Sequence, residues 1–325
     1  MSRFNYKAVA AVAVAGAAAA ALAAPTLASA TNATSSNLYA KINASGALVA
    51  GNGVTSSTAL GPGQYEVTFN RNVSSCAYVA TPENAFSQAV QVFTASGHLS
   101  TSGVYVETKN QGGGLTSAPF DLVVDCGSTN TPYAVVGYNA NLVRSSGGVT
   151  LSHPGPGRYN ITFPRTVNTC AALATVADPG NGLVFNPFGV YTGEGPNTNT
   201  IYIETKNGGG GLQDGAPFHL VLMCSGAPNV SGAKIGANGI TGTSFNSMLS
   251  YQGSTGQYLL VTRNDITNCA TIATRGSINR AVPFSPSTTE SVAGPAANTV
   301  GVQVRNLLFF GGGFDSQSFH TAVVC

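Results

Sequence analysis

The residues best suited to chemistry in this chain are its cysteines, which fall as one pair in each of three sequence repeats: Cys76, Cys126, Cys170, Cys224, Cys269 and Cys325. An even number of cysteines in an exported protein indicates disulfides. Within each repeat one cysteine opens a strand and the other closes a later one. We therefore expect the bridges Cys76–Cys126, Cys170–Cys224 and Cys269–Cys325. Each closes a loop of about fifty residues and contributes about 4 kcal/mol on the chain-entropy model; pairing between repeats is the alternative.

The histidines form no recognisable catalytic or metal-binding pattern. His219 and His320 occupy equivalent places, each directly after a strand phenylalanine, where the first repeat has Asp121. A catalytic or metal site needs converging Ser, Cys, Asp or Glu partners, and no His-x-x-x-His spacing occurs. We interpret these histidines as surface residues of strands, and we expect no catalytic residue, metal or cofactor.

Acidic residues offer a second route to chemistry, because glycoside hydrolysis uses two carboxyl groups that flank one bond. The residues considered are Asp178, Glu194 and Asp214. All three belong to loops of the second repeat, and no feature of the sequence makes them converge.

A repeated pair of opposite charges defines a candidate binding face, which comprises Tyr105, Glu107, Lys109, Tyr202, Glu204 and Lys206. Strand alternation directs these side chains away from the apolar residues between them. Outward tyrosine rings can stack on sugars. The alternative is a solvated strand face whose ion pairs are each worth less than about 1 kcal/mol. The third repeat has Gln303 and Arg305 there, without a carboxylate, which favours the alternative.

Glycine-rich loops follow these charged residues at 110–114 and 207–211, and the third repeat has glycines at 311–313. Such a loop can present backbone N–H groups to an anion. Neither a helix start nor a lysine in P-loop spacing accompanies them. We therefore favour a wide hairpin connection in which glycine supplies the positive φ angles.

These residues are positioned by a motif that occurs three times, beginning at Gly63, Gly157 and Gly256. Each copy has Gly-x-Tyr, an alternating strand, a polar turn and a strand that reads Cys-Ala-x-x-Ala-Thr. Glycine and proline interrupt any helical pattern. The sequence predicts an all-β protein of three tandem disulfide-closed antiparallel β-sandwich domains, with the motif tyrosines facing inward. Immunoglobulin-like and jelly-roll-like topologies both fit.

The domain boundaries follow from the repeats. Residues 1–30 read as a signal peptide, with basic Arg3 and Lys7, an alanine-rich run too short for a membrane anchor, and a small-x-small cleavage pattern. A disordered lead-in is expected at 31–36, and β-sandwich repeats at 37–126, 132–224 and 230–325. The short, turn-rich linkers 127–131 and 225–229 hold neighbouring units close. We expect a secreted, extracellular protein with no membrane association after cleavage.

The charge balance restricts the partners. Removing Arg3 and Lys7 from the 14 Lys+Arg leaves twelve basic residues against 12 Asp+Glu. A neutral chain in which 8% of residues are charged lacks the basic surface that nucleic acid or an anionic membrane attracts.

The repeat also carries a resemblance. The combination of Gly-x-Tyr-x-Val-x-Phe, Val-x-x-Cys-Ala-x-x-Ala-Thr, Val-Tyr-Val-Glu-Thr-Lys-Asn and Ala-Pro-Phe-x-Leu-Val-x-x-Cys resembles secreted actinobacterial tandem-repeat β-sandwich proteins of uncharacterised function. This resemblance covers nearly the whole mature chain and implies no activity. The segment Asn43-Ala44-Ser45-Gly46, before a Gly-x-Tyr strand, is similar at fold level only to modules at phage tail-fibre tips.

The function expected from these features is non-catalytic binding or structural support outside the cell or at its surface. Repetition suits binding, because several weak contacts on one chain raise avidity. The expected partner is a cell-wall or extracellular polysaccharide or a surface protein. The alternatives are a hydrolase of extracellular polysaccharide or cell wall, and a subunit of a larger fibre-like assembly in which the three units imitate a trimer.

Overall fold

A computed structural model describes residues 37–83, 89–180, 189–278, 287–307 and 313–325. The expected signal peptide and lead-in lie outside the described residues. Every regular element in the described ranges is a β-strand, and the strands fall into three sets of eight. The predicted class, three disulfide-closed antiparallel β-sandwich modules, is confirmed.

The strand sets define three modules. Module one has β1 (Asn37–Ile42), β2 (Leu48–Asn52), β3 (Val54–Gly61), β4 (Gln64–Phe69), β5 (Ala77–Pro82), β6 (Val90–Ser96), β7 (Gly103–Asn110) and β8 (Phe120–Asp125). Module two has β9 (Tyr133–Val136), β10 (Leu142–Ser145), β11 (Thr150–Gly155), β12 (Arg158–Thr162), β13 (Ala171–Asp178), β14 (Gly189–Glu194), β15 (Thr200–Lys206) and β16 (Phe218–Met223). Module three has β17 (Val230–Ile235), β18 (Thr241–Phe245), β19 (Leu249–Ser254), β20 (Gln257–Val261), β21 (Ala270–Arg275), β22 (Ser287–Ala293), β23 (Thr299–Asn306) and β24 (Phe319–Val324).

Each module consists of two four-stranded antiparallel sheets with the same strand order. In module one the inner sheet is β2-β1-β8-β5 and the outer sheet is β3-β4-β7-β6. The inner sheets of modules two and three are β10-β9-β16-β13 and β18-β17-β24-β21, and their outer sheets are β11-β12-β15-β14 and β19-β20-β23-β22. The strands β5, β13 and β21 therefore lie at an edge of their inner sheets, and we call them the edge strands.

Each module has its own apolar core between its two sheets. In module one, Tyr65, Val67 and Phe69 of the outer sheet pack with Phe120 and Leu122 of the inner sheet, and equivalent residues do so in the other modules. The Tyr65 ring lies 5.1 Å from the Phe120 ring, and its hydroxyl donates to the Ala44 carbonyl at 3.1 Å. The inward orientation predicted for the motif tyrosine is confirmed.

The motif glycine precedes this tyrosine for a steric reason. Gly63 has φ +67°, in the left-handed region that favours glycine. A Cβ atom there would lie 2.6 Å from the carbonyl oxygen of Thr108, closer than van der Waals contact allows. Gly157 and Gly256 have the same conformation and the same close approach.

The three predicted disulfides are all present, and they span 50, 54 and 56 residues. Ala77 pairs with Asp125 at the end of the β5–β8 ladder, so Cys76 and Cys126 are the next residues in register. The bridge therefore fastens two neighbouring strands of the inner sheet. It does not join the two sheets of the sandwich, because antiparallel register brings these two cysteines side by side within one sheet.

A fourth apolar cluster draws on all three modules, and we call it the common core. Its central residues come from equivalent positions of the inner sheets: Val79, Leu173 and Ile272, with Val123, Val221 and Ala322. The inner sheets are thus buried on both faces, one against their own module and one against the other two. Fully burying one large aliphatic side chain is worth roughly 1.5–3 kcal/mol, so this cluster binds the modules firmly.

One position of the common core varies among the modules. Tyr39 and Tyr133 pair with equivalent residues of β8 and β16, and module three has Gly232 in that place. A Cβ on Gly232 would lie 2.4 Å from the Phe245 ring. Phe245 is itself part of the common core, so its ring occupies the space that a tyrosine fills in the other modules.

Threonine side chains satisfy the free backbone groups of the edge strands. The motif threonine of each module both accepts from the N–H and donates to the carbonyl of the motif alanine in another module. These bonds join Thr175 to Ala80 (2.9 and 3.2 Å), Thr274 to Ala174 (2.9 and 3.1 Å) and Thr81 to Ala273 (2.8 and 3.2 Å). We call this closed cycle the threonine ring. It covers part of an edge that would otherwise be open to pairing with another chain.

Parallel strand contacts close the same cycle. β6 of module one pairs with β13 of module two. Equivalent single bridges join Thr192 to Gly276 and Ser291 to Glu83, which link module two to three and three to one. The described residues from Asn37 onward accordingly form one compact unit. The modules are parts of one closed structure, whereas the repeats had suggested units strung along the chain.

Removing one hydroxyl from the threonine ring should destabilise the whole chain. We expect Thr175→Val to lower the free energy of unfolding by about 1–3 kcal/mol, because the buried N–H and carbonyl of Ala80 lose their partner. Chemical denaturation measures this change. Thr150, an exposed strand threonine of the same module, is the matched control, and Thr150→Val should change stability by less than about 0.5 kcal/mol. Equal effects of the two substitutions would contradict the structural role of the ring.

The common core predicts cooperative unfolding. We expect one calorimetric transition for the oxidised full chain, because release of one module exposes the apolar face of all three inner sheets. Three separate transitions, or a fragment of residues 37–126 that folds as a stable monomer, would show that the modules are independent.

Candidate functional site

Three polar residues that occupy equivalent places in the repeats act as hydrogen-bond acceptors at the module boundaries. Asp121, His219 and His320 each accept a backbone N–H bond from the edge strand of another module. The donors are Thr271 N to Asp121 Oδ2 at 2.9 Å, Tyr78 N to His219 Nδ1 at 2.9 Å and Ala172 N to His320 Nδ1 at 3.1 Å. All three acceptor side chains are fully buried. The expectation of surface histidines was wrong, because the second face of each inner sheet is covered by another module.

A cation lies beside each of these acceptors. Lys41 pairs with Asp121 at 3.1 Å and with Glu83 at 3.4 Å. Lys234 pairs with Glu194 of module two at 3.2 Å and also donates to the Asn168 carbonyl. The Lys41 pairs lie within module one, whereas the Lys234–Glu194 pair joins module three to module two with a charge-assisted hydrogen bond, which is stronger than a neutral one.

The boundary between modules one and two uses an arginine in this role. Arg144 donates from Nε to the Cys76 carbonyl at 3.1 Å and from Nη1 to the Pro179 carbonyl at 2.9 Å. Its guanidinium lies 5.8 Å from the Tyr78 ring centroid, a cation–π contact. The His219 ring contacts the same tyrosine at 4.9 Å. This boundary is therefore held by neutral acceptors and aromatic faces.

Burial sets the protonation of the boundary residues. It lowers the pKa of His320 to about 3 and the pKa of His219 well below its usual value. Both imidazoles are therefore neutral at neutral pH, with Nδ1 as the acceptor. Burial raises the pKa of Asp121 above its usual range, and Lys41 opposes that rise in part. Large pKa shifts occur in structural hydrogen-bond networks as well as in active sites. Here each of the three groups bonds protein atoms of another module, as in a structural network.

The candidate binding face of module one is buried. Tyr105, Glu107 and Lys109 are 3%, 4% and 6% exposed. Lys109 pairs with Glu107 at 2.8 Å, and the Tyr105 hydroxyl donates to Glu107 at 3.0 Å. Lys109 also lies 4.9 Å from the ring of Phe93, which belongs to the core cluster of module two. The expectation of an exposed face was wrong here, because strand alternation assigns faces and does not reveal that a second module covers one.

The equivalent residues of module two are partly exposed. Tyr202 and Glu204 are half-buried, and Lys206 is buried. The Tyr202 hydroxyl donates to Glu204 at 2.9 Å, and Lys206 pairs with Glu204 at 3.0 Å. Burial and the neighbouring Glu204 carboxylate raise the pKa of Tyr202 to about 12. These side chains bind one another, and only the tyrosine and the glutamate reach the surface in part.

Module three replaces this ion pair by another. Arg305 donates from Nε to Glu290 at 2.8 Å, and Glu290 also accepts from the backbone N–H of Val90 in module one. Glu290 stands where modules one and two have Phe93 and Tyr191. The carboxylate missing from β23 is therefore supplied by the neighbouring strand β22.

The glycine-rich loops use their N–H groups internally. Asn110 Oδ1 accepts from Gly112 N and Gly114 N at 3.0 Å, and Asn207 does the same in module two. Gly113 and Gly210 have φ of +82° and +84°. The hairpin interpretation is confirmed for these two loops, and the third lies mostly outside the described residues.

The three acidic residues of module two each have their own partners; Asp178 and Glu194 end the strands β13 and β14, so the expectation of loop positions was wrong for these two. Asp178 accepts from the Tyr138 hydroxyl at 3.0 Å, Glu194 pairs with Lys234, and Asp214 bonds His153 at 2.8 Å. No hydrogen bond within the described ranges joins any two of these carboxylates. The described residues also contain no cluster of three or more His, Cys, Asp or Glu side chains able to hold a metal ion.

Two open grooves lie at equivalent module boundaries. One, of about 360 Å³, is lined by Asn168, Pro196 and Thr198 of module two, beside Lys234 of module three. The other, of about 330 Å³, runs between modules three and one and includes Lys41 and Pro295. The wall of the first groove is mostly short polar side chains and backbone, which can hydrogen-bond a hydroxyl-rich ligand, whereas the second is lined largely by alanine, glycine, proline and other apolar residues together with three threonines. We call them the boundary grooves.

Sequence reasoning missed the module boundaries, although two signals pointed to them. The edge strands repeat Ala-Thr at Ala80-Thr81, Ala174-Thr175 and Ala273-Thr274, the residues of the threonine ring. β16 reads Phe-His-Leu-Val-Leu-Met and is apolar on both faces apart from one histidine. A strand with two apolar faces indicates burial on both sides.

Comparisons with protein-family models, with curated proteins and with solved structures found no match to this chain. Among the described residues, no helix is long and apolar enough to span a membrane.

The buried histidines predict a pH-dependent contribution to stability. For His320 the folded pKa of about 3 lies below the ordinary value of 6.5, so the neutral form is favoured by folding. This stabilisation is present above pH 6.5 and is lost as the pH falls toward the folded value. The loss is about 1.4 kcal/mol per pH unit, or roughly 2–3 kcal/mol at pH 4.5.

The variant His320→Asn tests this prediction, because its amide oxygen can still accept from Ala172 N and does not titrate. Unfolding free energies of both proteins should be measured from pH 7 to pH 4.5. We expect the advantage of the wild type to shrink by roughly 2–3 kcal/mol over that range. Burial raises the pKa of both Asp121 and Asp125, and because these carboxyl groups titrate in both proteins, their contribution cancels. A gap that stays constant with pH would contradict a neutral buried imidazole.

Proposed function

We propose that this chain is an exported, non-catalytic protein that acts outside the cell or at its surface and binds a polysaccharide, such as a cell-wall glycan. The observation that carries the proposal is the boundary grooves, which occur at equivalent places around a closed cycle of modules. Similar grooves on one rigid body can engage successive segments of a repeating polymer. Several weak contacts of this kind raise overall affinity without any new contact type.

The polar wall of the groove beside Lys234 supports a neutral, hydroxylated ligand. Thr198 and Asn197 are exposed at the groove between modules two and three, and Lys234 is already paired with Glu194. The cations at these boundaries already pair with protein carboxylates. A ligand in the grooves would therefore be held mainly by hydrogen bonds and not by an unpaired charge. This fits a sugar chain better than nucleic acid or an anionic membrane.

The non-catalytic part of the proposal rests on the use of the polar residues. His219, His320 and Asp121 bond the backbone of other modules, and the three acidic residues of module two bond separate partners. Hydrolysis requires groups that converge on one reacting bond. A hydrolase remains the rival class, and release of soluble reducing ends from the polymer separates it from a binder.

Retention on insoluble cell-wall and polysaccharide preparations tests the proposal. We expect the full oxidised chain to be retained, and Thr198→Arg to weaken retention by at least about tenfold, because the long cation fills the groove and one of several linked contacts is lost. Thr150→Arg, at an exposed threonine of the same module, should bind like the wild type.

Three outcomes would overturn the proposal. The first is no retention of the wild type on any glycan preparation. The second is equal weakening by Thr198→Arg and Thr150→Arg, which would mean that charge and not the groove matters. The third is release of reducing ends, which would identify the chain as a hydrolase.

A further inference from the structure

A cavity of about 70 Å³ lies where the three modules meet, and residues of every module line it. The lining includes Gln91 of module one, Thr175 and Val176 of module two, and Thr274 and Arg275 of module three. Two of these are members of the threonine ring, so the cavity adjoins the central contact of the fold. It is separate from the boundary grooves.

Arg275 is a buried cation that the described protein atoms do not fully satisfy. It is 2% exposed. Its Nη2 donates to the side-chain oxygen of Gln317. Its Nε and Nη1 are buried and have no hydrogen-bond partner. A guanidinium has only donors and stays charged in proteins, so two of its three nitrogens lack an acceptor.

No carboxylate neutralises this guanidinium directly. Each ion pair of the described residues involves another cation. Asp315 is reached only through Gln317, whose amide nitrogen donates to Asp315 Oδ2. Burial lowers the pKa of Arg275 to about 10, so the residue remains charged at neutral pH. A buried charge without a partner is strongly unfavourable.

The other modules show that the fold does not need a cation here. Val176 of module two and Pro82 of module one occupy the equivalent position at the end of their edge strands, and both line the same cavity. The side-chain oxygen of Gln91, on the module one side, is also buried without a partner. The cavity thus combines one unneutralised cation with an unused amide group, and only module three provides the charge.

We propose that this cavity binds one compact oxyanion, a carboxylate, phosphate or sulfate group, held by the free N–H groups of Arg275. Gln91 lines the same cavity, but its unpartnered side-chain oxygen is an acceptor and gives an oxyanion no hydrogen bond, so the N–H groups of Arg275 carry the site. Since Val176 and Pro82 replace the cation in the other modules, the described residues provide a single site of this kind. The site goes beyond glycan binding in the grooves, and either can exist without the other.

Thermal denaturation of the full oxidised chain tests the site. Sodium acetate, sodium phosphate and sodium sulfate are each titrated against sodium chloride at equal ionic strength and pH 7. We expect at least one oxyanion to raise Tm, because a ligand that binds only the folded state stabilises it by mass action. Isothermal titration with that anion should give one site per chain. The three arms separate the carboxylate, phosphate and sulfate sources.

The variant Arg275→Val introduces the residue that module two uses at this position, and should abolish the oxyanion-dependent rise in Tm. Arg263→Val, at an exposed arginine of module three, is the matched control and should keep the full rise. Should Arg275→Val not fold, Arg275→Lys keeps the charge but loses the planar donors, and we expect at least about tenfold weaker binding.

Two results would overturn the proposal. No Tm rise with any of the three oxyanions in the wild type would mean that the cavity holds water alone. An equal rise in the wild type and in the Arg275 variant would mean a general salt effect or an adventitious ion only. Neither result bears on retention by glycans, which depends on the boundary grooves.

Discussion

The structure depends on hydrogen-bond partners for the backbone groups along the free edges of three strands. β5, β13 and β21 each end an inner sheet, and their outward N–H and carbonyl groups are buried. Threonine hydroxyls, together with His219, His320 and Asp121, supply the partners from another module. Leaving such a group unpaired costs more than a typical hydrogen bond gains. The modules must therefore stay together once the inner sheets are formed. The common core then adds apolar burial to a geometry that these polar contacts specify.

The interior of one module could be predicted from the sequence, and the relation between modules could not. Period-two alternation located the tyrosine and phenylalanine residues of each core, and the repeat selected the three disulfides correctly. Alternation assigns side chains to two faces, but what covers the second face depends on contacts far apart in the chain. Lys109 and His219 were expected at the surface for this reason. The same limit applies to sheet order, since pairs such as β1–β8 join the two ends of a module.

The three copies keep the scaffold and differ at the boundary positions. The threonine ring repeats in every module, whereas the neighbouring acceptor is Asp121 in one and histidine in two. Gly232 is compensated by Phe245, and the cation Arg275 replaces a valine or a proline. In a homotrimer such a change would occur at all three boundaries at once. A single chain allows one boundary to change alone, so a site near the centre can be built from unlike residues.

The short linkers at 127–131 and 225–229 have a consequence for the assembly at low protein concentration. Three separate polypeptides with these contacts would be in equilibrium with monomers, and dilution into a large volume would favour dissociation. The translational and rotational entropy of assembly, several kcal/mol for each association, is absent when the copies are covalently joined. The closed cycle of three modules is therefore independent of the protein concentration.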